Sequence, residues 1–248
     1  MSSVTGIIGG SGFYSVEGSS GPEVTNIVTP YSDKPVPVYR SLVAGKPVAF
    51  LPRHGIEHGV PPHRVNYRAN VWALRKSGVN AIIAINVVGG IRTGLEPGAL
   101  VVPDQLIDYT WGRAHTYFDV LEDAGNHVDF TWPYDQGLRQ ALLDSAHELD
   151  IACIDGGVYG CTQGPRLETA AEIQKLRQDG CDIVGMTSMP EAALARELTI
   201  PYASIALVVN LAAGLAQDAI SFADIAASLD DGIEVIRRLL PGSIAKLP

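Results

Sequence analysis

Along the chain, short apolar runs alternate with stretches whose apolar residues recur at helical spacing, the pattern of strands interleaved with helices. Residues 4–8 read as a short buried strand and 47–51 as a second. Residues 80–88 form a continuous apolar run broken by Asn86, which suits a strand buried on both faces. Residues 100–103, 151–162, 182–185 and 202–209 read as further strands. Residues 18–37, rich in Gly, Pro, Ser and Thr, read as loop and edge strand, and 110–132, of mixed polarity, as loops. Pro61 and Pro62 open a helix to about Lys76, with Val65, Ala69, Trp72 and Ala73 at helical spacing and Gly78 beyond its end. Residues 137–149 form a second helix that turns Leu138, Ala141, Leu142 and Leu149 inward. Thr169 with Glu172, and Ser188 with Glu191, have the form of capping boxes, the second opening a helix to about Leu198. Ser221 is expected to cap a last helix to about Leu240. With no repeat, linker or low-complexity segment, this alternation predicts a single α/β domain, residues 1–248, around a mixed central sheet flanked by helices.

Ligands of α/β folds sit where strand ends meet loops, and the strand ends here are polar. The first strand runs into Gly9, Gly10, Ser11 and Gly12. Glycines let consecutive backbone N–H groups converge on one point, because no Cβ blocks the required dihedrals. Such a nest binds anions, and the Ser11 hydroxyl adds a donor. The same glycines also suit a tight strand-to-loop turn, and their spacing is neither that of a Walker loop nor that of a dinucleotide site. The 47–51 strand delivers Arg53 and His54. The Arg53 fork is suited to phosphate or to an acidic side chain, and His54 is either a donor to the same anion or structural. Asn86 is an amide in an apolar strand, where it needs a partner. Thr187 brings a hydroxyl after the 182–185 strand, and Met186 beside it fits a core as well as a ligand. His58, His63 and His115 read as structural. No His-x-x-x-His or paired-carboxylate pattern points to a metal or to a two-carboxylate glycosidase.

Composition narrows the class. The 248 residues are 46% hydrophobic, enough to bury a large core, and the net charge of −9 weighs against a nucleic-acid partner. Cys153, Cys161 and Cys181 are odd in number and form no Cys-x-x-Cys pair, which points to a reducing compartment and no structural zinc. Residues 1–4 carry no basic leader, and no apolar run approaches the roughly 20 residues of a membrane span, so a soluble cytoplasmic protein is expected.

Taken in order, several segments carry a resemblance that covers most of the chain. They are Gly6-Ile-Ile-Gly-Gly-Ser-Gly12, Arg53-His-Gly55, Val65-Asn-Tyr-Arg-Ala-Asn-Val-Trp-Ala-Leu74, the stretch from Gly89 to Gly98, Gln163-Gly-Pro-Arg-Leu-Glu-Thr169 and Gly185-Met-Thr-Ser-Met-Pro-Glu191. Together they resemble the trimeric purine nucleoside phosphorylase and methylthioadenosine phosphorylase family, with a spacing most similar to the methylthioadenosine branch. The resemblance implies one α/β domain around a mixed, partly barrel-like sheet, assembled as a homotrimer. It implies reversible phosphorolysis of a purine nucleoside, with inorganic phosphate as co-substrate and no metal or organic cofactor. By position it assigns Ser11, Arg53, His54, Asn86, Thr187 and the backbone N–H of Val87 to phosphate, and Met186 to the ribose. It assigns Leu167, Glu168 and Asn210 to the base, and gives Ser11, His54 and Asn210 the catalytic roles. Asn86 stands where the methylthioadenosine branch usually has threonine.

The chain departs from that branch where the base is read. The branch has Thr-Asp-x-Asp at the end of the late strand, whereas this chain has Val209-Asn210-Leu211-Ala212. Phosphorylases for hypoxanthine and guanine have asparagine at the position of Asn210, and a glutamate at that of Glu168. A 6-oxopurine presents an acceptor at O6 and a donor at N1, matching an amide N–H and a carboxylate; adenine presents the reverse. For the 5′ end of the sugar, Phe222 and Ile225 fall where the family holds the methylthio group. None of the six histidines lies beyond His147 to meet a 5′-hydroxyl there. His127 aligns with a histidine that the neighbouring subunit contributes in the methylthio branch. An oxopurine reader combined with an apolar sugar pocket predicts S-methyl-5′-thioinosine as substrate, with methylthioadenosine, or inosine and guanosine, as the alternatives.

Overall fold

The computed structural model describes residues 3–10, 23–119, 127–216 and 222–247. Ser11 and the side chain of Phe222 lie outside the described residues. Among the described residues, eleven strands form one mixed sheet: β1 (Val4–Gly9), β2 (Glu23–Thr29), β3 (Ser32–Val43), β4 (Lys46–Pro52), β5 (Val79–Gly90), β6 (Leu100–Val102), β7 (Gln105–Asp108), β8 (Cys153–Asp155), β9 (Val158–Cys161), β10 (Ile183–Gly185) and β11 (Tyr202–Leu211). The helices are α1 (Tyr67–Lys76), α2 (Gln136–Glu148), α3 (Ala170–Gln178), α4 (Ser188–Glu197) and α5 (Phe222–Lys246).

β5 is the axis of the sheet. Along one edge it pairs in parallel with β11 from Ile82 to Gly90. Along the other it pairs in parallel with β1 as far as Ala84, then antiparallel with β10 at Gly89 and Gly90. One branch continues from β11 through β6 to β8, and the other from β10 through β9 to β7. The branches meet again where the chain passes from β8 to β9 through Gly156 and Gly157. There Gly156 N–H donates to Val102 O and Asp104 N–H to Gly157 O, which curls this half of the sheet into a partial barrel.

Alternation along β5 splits the core in two, because successive side chains point to opposite faces. Ile82, Ala84 and Val88 join a layer with Val71 and Ala73 of α1 and with Ala192 and Leu194 of α4. Ile83 and Ile85 join a layer with Leu138 and Leu142 of α2 and with Ile236 and Leu240 of α5. Helices therefore cover both faces, as the continuous apolar run of β5 requires.

Several local expectations change. The helix expected from Pro61 is a short 3₁₀ turn, Pro62–Arg64, and α1 starts only at Tyr67, where the Asn66 side chain accepts from Ala69 N–H. The single strand expected over 151–162 is two, divided at Gly156 and Gly157, whose positive φ no straight strand adopts. β7, inside a stretch of intermediate polarity, has no sequence signal of its own. The last helix runs past Pro241 to Lys246, and Ser221 lies outside the described residues. The Thr169–Glu172 capping box forms with both of its hydrogen bonds. The Ser188–Glu191 pair forms none: Ser188 bonds the Tyr134 hydroxyl, and Glu191 is buried against Arg53.

Close packing at the end of β5 yields a stability prediction. A Cβ on Gly90 would stand 2.4 Å from the Leu95 carbonyl oxygen, a backbone atom that cannot step aside. Gly90→Ala should lower the unfolding free energy by about 1–3 kcal/mol. Gly59→Ala, whose Cβ meets nothing within 4 Å, should stay near wild type. Urea denaturation followed by circular dichroism measures both; equal midpoints for the two variants would contradict the packing described.

Candidate active site

The edge of β5 between Ala84 and Gly89 is left without a strand partner, because β1 ends before it and β10 starts after it. Ile82 N–H donates toward β11, to Pro201 O, while Ile85 O accepts from the opposite side. Backbone groups alternate along a strand, so the Val87 N–H points to the same open edge as Ile85 O. A cavity of about 650 Å³ lies at this fork. Its walls come from the ends of β1, β4, β5, β10 and β11, the loop after β9, and the start of α5.

Arg53 follows β4 directly, and its backbone N–H extends the pairing of β1 with β4 by donating to Gly9 O at 3.0 Å. The guanidinium is wholly buried. Nε and Nη2 donate to the two Glu191 oxygens at 2.8 and 2.7 Å, and Nη1 donates to Ile85 O at 3.0 Å. The pair is bidentate, the strongest geometry for these groups. Glu191 also accepts from the Tyr202 hydroxyl at 2.9 Å. Burial alone would push the Arg53 guanidinium down, but the Glu191 carboxylate outweighs it and holds Arg53 above its ordinary value. Arg53 thus pairs with an acid and borders the cavity at once. The approach requires Gly10: a Cβ there would lie 2.7 Å from Ile85 O and 3.1 Å from Arg53 Nη1.

His54 sits on a tight loop in which Gly55 and His58 have positive φ. Its Nδ1 lies 2.7 Å from Val60 O. A carbonyl only accepts, so Nδ1 carries the proton, and in the neutral ring Nε2 holds a lone pair. Burial, then the Arg53 charge, push the imidazole from its ordinary 6.5 to about 4, so it is neutral at pH 7. The His58 ring lies 4.7 Å from that of His54 and also lines the cavity, a role its sequence context does not signal.

Thr187 precedes α4 and borders the cavity, and Met186 lies beside it. Asn86 does not border it. Asn86 is wholly buried behind Thr187 and donates to the Thr187 hydroxyl oxygen at 2.8 Å. Glu168 and Leu167, from the loop after β9, and Asn210, from the end of β11, line the same cavity. One Glu168 oxygen accepts from the Thr162 hydroxyl at 2.6 Å. Asn210 follows a bulge in the register of β11 with β5, where Val208 pairs with Val88 and Asn210 with Gly89. Such a bulge re-aims a side chain. Its Nδ2 donates to Leu211 O at 2.6 Å, which leaves Oδ1 and one N–H unengaged by that bond. Ile225 of α5 closes another wall.

Of the expected site residues, Arg53, His54, Val87, Leu167, Glu168, Met186, Thr187, Asn210 and Ile225 therefore meet in one cavity. His127 is exposed and outside it. Arg113 is a further residue, one that sequence pattern does not single out. It is buried and donates to Met186 O and Met189 O from Nη1 and to Gln163 O from Nη2, tying the Met186 segment to the loop that carries Glu168. A lone arginine in a polar loop gives no advance sign of such a role. Among the described residues, no three His, Cys, Asp or Glu side chains cluster as a metal site requires, and no helix is long and apolar enough to cross a membrane.

Known proteins share this architecture and much of its sequence. Residues 5–245 match the family described as the Phosphorylase superfamily. Over 238 residues the chain is 50% identical to a probable S-methyl-5′-thioinosine phosphorylase of Pseudomonas syringae pv. tomato, covering 96% of each chain. Over 247 residues it is 42% identical to a 6-oxopurine nucleoside phosphorylase of Pyrococcus furiosus, covering 98% of this chain and 92% of that one. Methylthioadenosine phosphorylase from Schistosoma mansoni, solved in complex with adenine, superposes with a TM-score of 0.91 at 32% identity, over 98% of this chain and 91% of that one. With its sheet and nearly its whole length shared with such relatives, the chain belongs to the phosphorylase superfamily.

Proposed function

We propose that the chain catalyses the phosphorolysis of S-methyl-5′-thioinosine to hypoxanthine and 5-methylthioribose 1-phosphate. The observation that carries this is the shared cavity: Asn210 and Glu168 line the space that Arg53, His54 and Thr187 also border, with the apolar Ile225 on another wall. The 50% identical relative of P. syringae bears the name of the same activity.

The chemistry follows from these groups. Phosphate is held at the fork by the remaining Arg53 N–H donors, the Thr187 hydroxyl and the Val87 N–H; Ser11 completes this set by its place in sequence. The charge of Arg53 is already matched by Glu191, and His54 is neutral. The anion therefore keeps its own charge, which stabilises the sugar cation formed as the glycosidic bond breaks and then attacks it. Fixing the anion under the anomeric carbon makes the attack a positioned event. An Asn210 N–H donates to O6 or N7 of the departing purine and Glu168 accepts from N1–H, and their placement before the reaction is what stabilises the leaving group. Adenine would mispair with both groups, at about 1–3 kcal/mol each, or roughly 30-fold to 10⁴-fold in selectivity. Met186 supports the ribose and Leu167 the base. We place the methylthio group against Ile225 and Phe222. We assign His127, exposed and outside the cavity of its own chain, to the site of a neighbouring subunit in a cytoplasmic homotrimer.

One observation favours a second reading, an inosine and guanosine phosphorylase: the His58 imidazole lines the cavity and offers a polar group to a 5′-hydroxyl. The Pyrococcus furiosus relative is named for 6-oxopurine nucleosides.

Steady-state kinetics on methylthioinosine, methylthioadenosine and inosine, assayed in parallel with phosphate, test the assignment. The highest kcat/KM is expected for methylthioinosine. A preference for methylthioadenosine would overturn the base assignment, and one for inosine the assignment of the sugar pocket. Asn210→Asp should move the hypoxanthine-to-adenine selectivity toward adenine by about tenfold or more; unchanged selectivity would remove Asn210 as the reader. Histidine NMR titration tests the anion site. Without phosphate His54 should stay neutral down to about pH 4. A bound anion favours the imidazolium, so saturating phosphate should raise its pKa. A His54 titration indifferent to phosphate would place the anion elsewhere.

A further inference from the structure

Behind the anion-binding wall lies a line of three hydrogen-bonding side chains of which only the last reaches the cavity. Asn86 and Ser204 are wholly buried and line no part of it. Their strands bring them together: Ala206 pairs with Asn86 and Ser204 with Ala84, so Ser204 is one diagonal step from Asn86 on the same face. The Ser204 hydroxyl donates to Asn86 Oδ1 at 2.6 Å, and Asn86 Nδ2 donates to Thr187 Oγ1 at 2.8 Å.

The order of donors decides what Thr187 can do. A primary amide has an accepting end and a donating end, and a hydroxyl has one proton. With Ser204 donating to Oδ1, the accepting end of Asn86 lies on the Ser204 side and the donating end faces Thr187. The Thr187 oxygen receives that N–H, so its proton is left to turn toward the cavity. With the amide reversed, Oδ1 would take the Thr187 proton, and the hydroxyl would present only lone pairs to an anion.

We infer that Ser204 and Asn86 are positioning residues that form a one-way hydrogen-bond relay, committing the Thr187 hydroxyl to donate to phosphate. The inference rests on the proposed reading of the cavity as a phosphate site. It gives Asn86 a role through Thr187, in place of the direct phosphate contact expected from position. It also assigns a role to Ser204, a hydroxyl in the otherwise apolar centre of β11.

The test is a double-mutant cycle read on phosphate, because coupled residues give non-additive effects. Ser204→Ala frees the amide to reverse and should raise the phosphate KM about 10- to 150-fold, the worth of one hydrogen bond to a charged group. Nucleoside affinity measured without phosphate should stay within about twofold, which a general loss of structure would not allow. Ser204→Thr, which keeps the hydroxyl, should restore most of the phosphate affinity. Thr187→Val should weaken phosphate by itself, and in that background Ser204→Ala should add less than about twofold, since no hydroxyl remains to orient. A phosphate KM unchanged in S204A, or effects of S204A and T187V that simply multiply, would overturn the relay. Should S204A lose its fold by circular dichroism, S204C, of similar shape but a weak donor, takes its place in the cycle, and the same two outcomes decide. Calorimetric titration of the wild type with inorganic phosphate separates the two levels. Failure of the wild type to bind phosphate overturns the cavity reading and the relay with it. Binding that persists unchanged in S204A overturns the relay alone.

Discussion

The buried ion pair of Arg53 with Glu191 is the contact on which the rest of the site depends. It joins the end of β4 to the first turn of α4, and through the Tyr202 hydroxyl it reaches β11. Buried ion pairs of this kind stabilise little against apolar replacements of the same shape, although losing one partner is costly. Its position therefore explains more than its energy. The carboxylate grips two nitrogens of the guanidinium and Ile85 O a third, which fixes Arg53 at the border of the cavity. The glycine at position 10 gives the same group room.

Much of this is legible in the chain, for reasons that differ by element. The long apolar run of β5 announces a strand covered on both faces, and α2 keeps its period because Leu138, Ala141 and Leu142 form an inner stripe. Arg53, His54, Thr187 and Asn210 can be placed because each follows an apolar run, where a polar side chain has few structural uses. Glu191 misleads for a local reason. Ser-x-x-Glu matches a capping pattern, and pattern alone cannot tell a solvated helix start from a buried one. A fully buried acid needs a cationic partner, and the fold supplies Arg53. The split between β8 and β9 depends on two glycines whose dihedrals no hydropathy pattern encodes. The place of Asn86 behind Thr187, rather than beside it, depends on a strand register that sequence does not fix.

The topology also explains why the cavity forms where it does. β5 exchanges one neighbour for another midway along an edge, and of the four residues between, Ile85 and Val87 turn backbone groups to the open side. Unpaired backbone groups need partners. Here a guanidinium takes one of them, and others face the cavity. The same exchange sends the two branches of the sheet apart before they rejoin at Gly156 and Gly157.

That forked layout draws the two halves of the pocket from different stretches of the chain, tied together through β11 and Arg113. The wall proposed to hold phosphate rests on β1, β4 and the start of α4, while Glu168 and Asn210 rise from the loop after β9 and the bulged end of β11. Changes at those two strand ends leave the deep ion pair untouched. On the proposed reading, a lineage built on this scaffold is free to trade one heterocycle for another by substitution at Glu168 and Asn210, while the grip on the nucleophile stays with other residues.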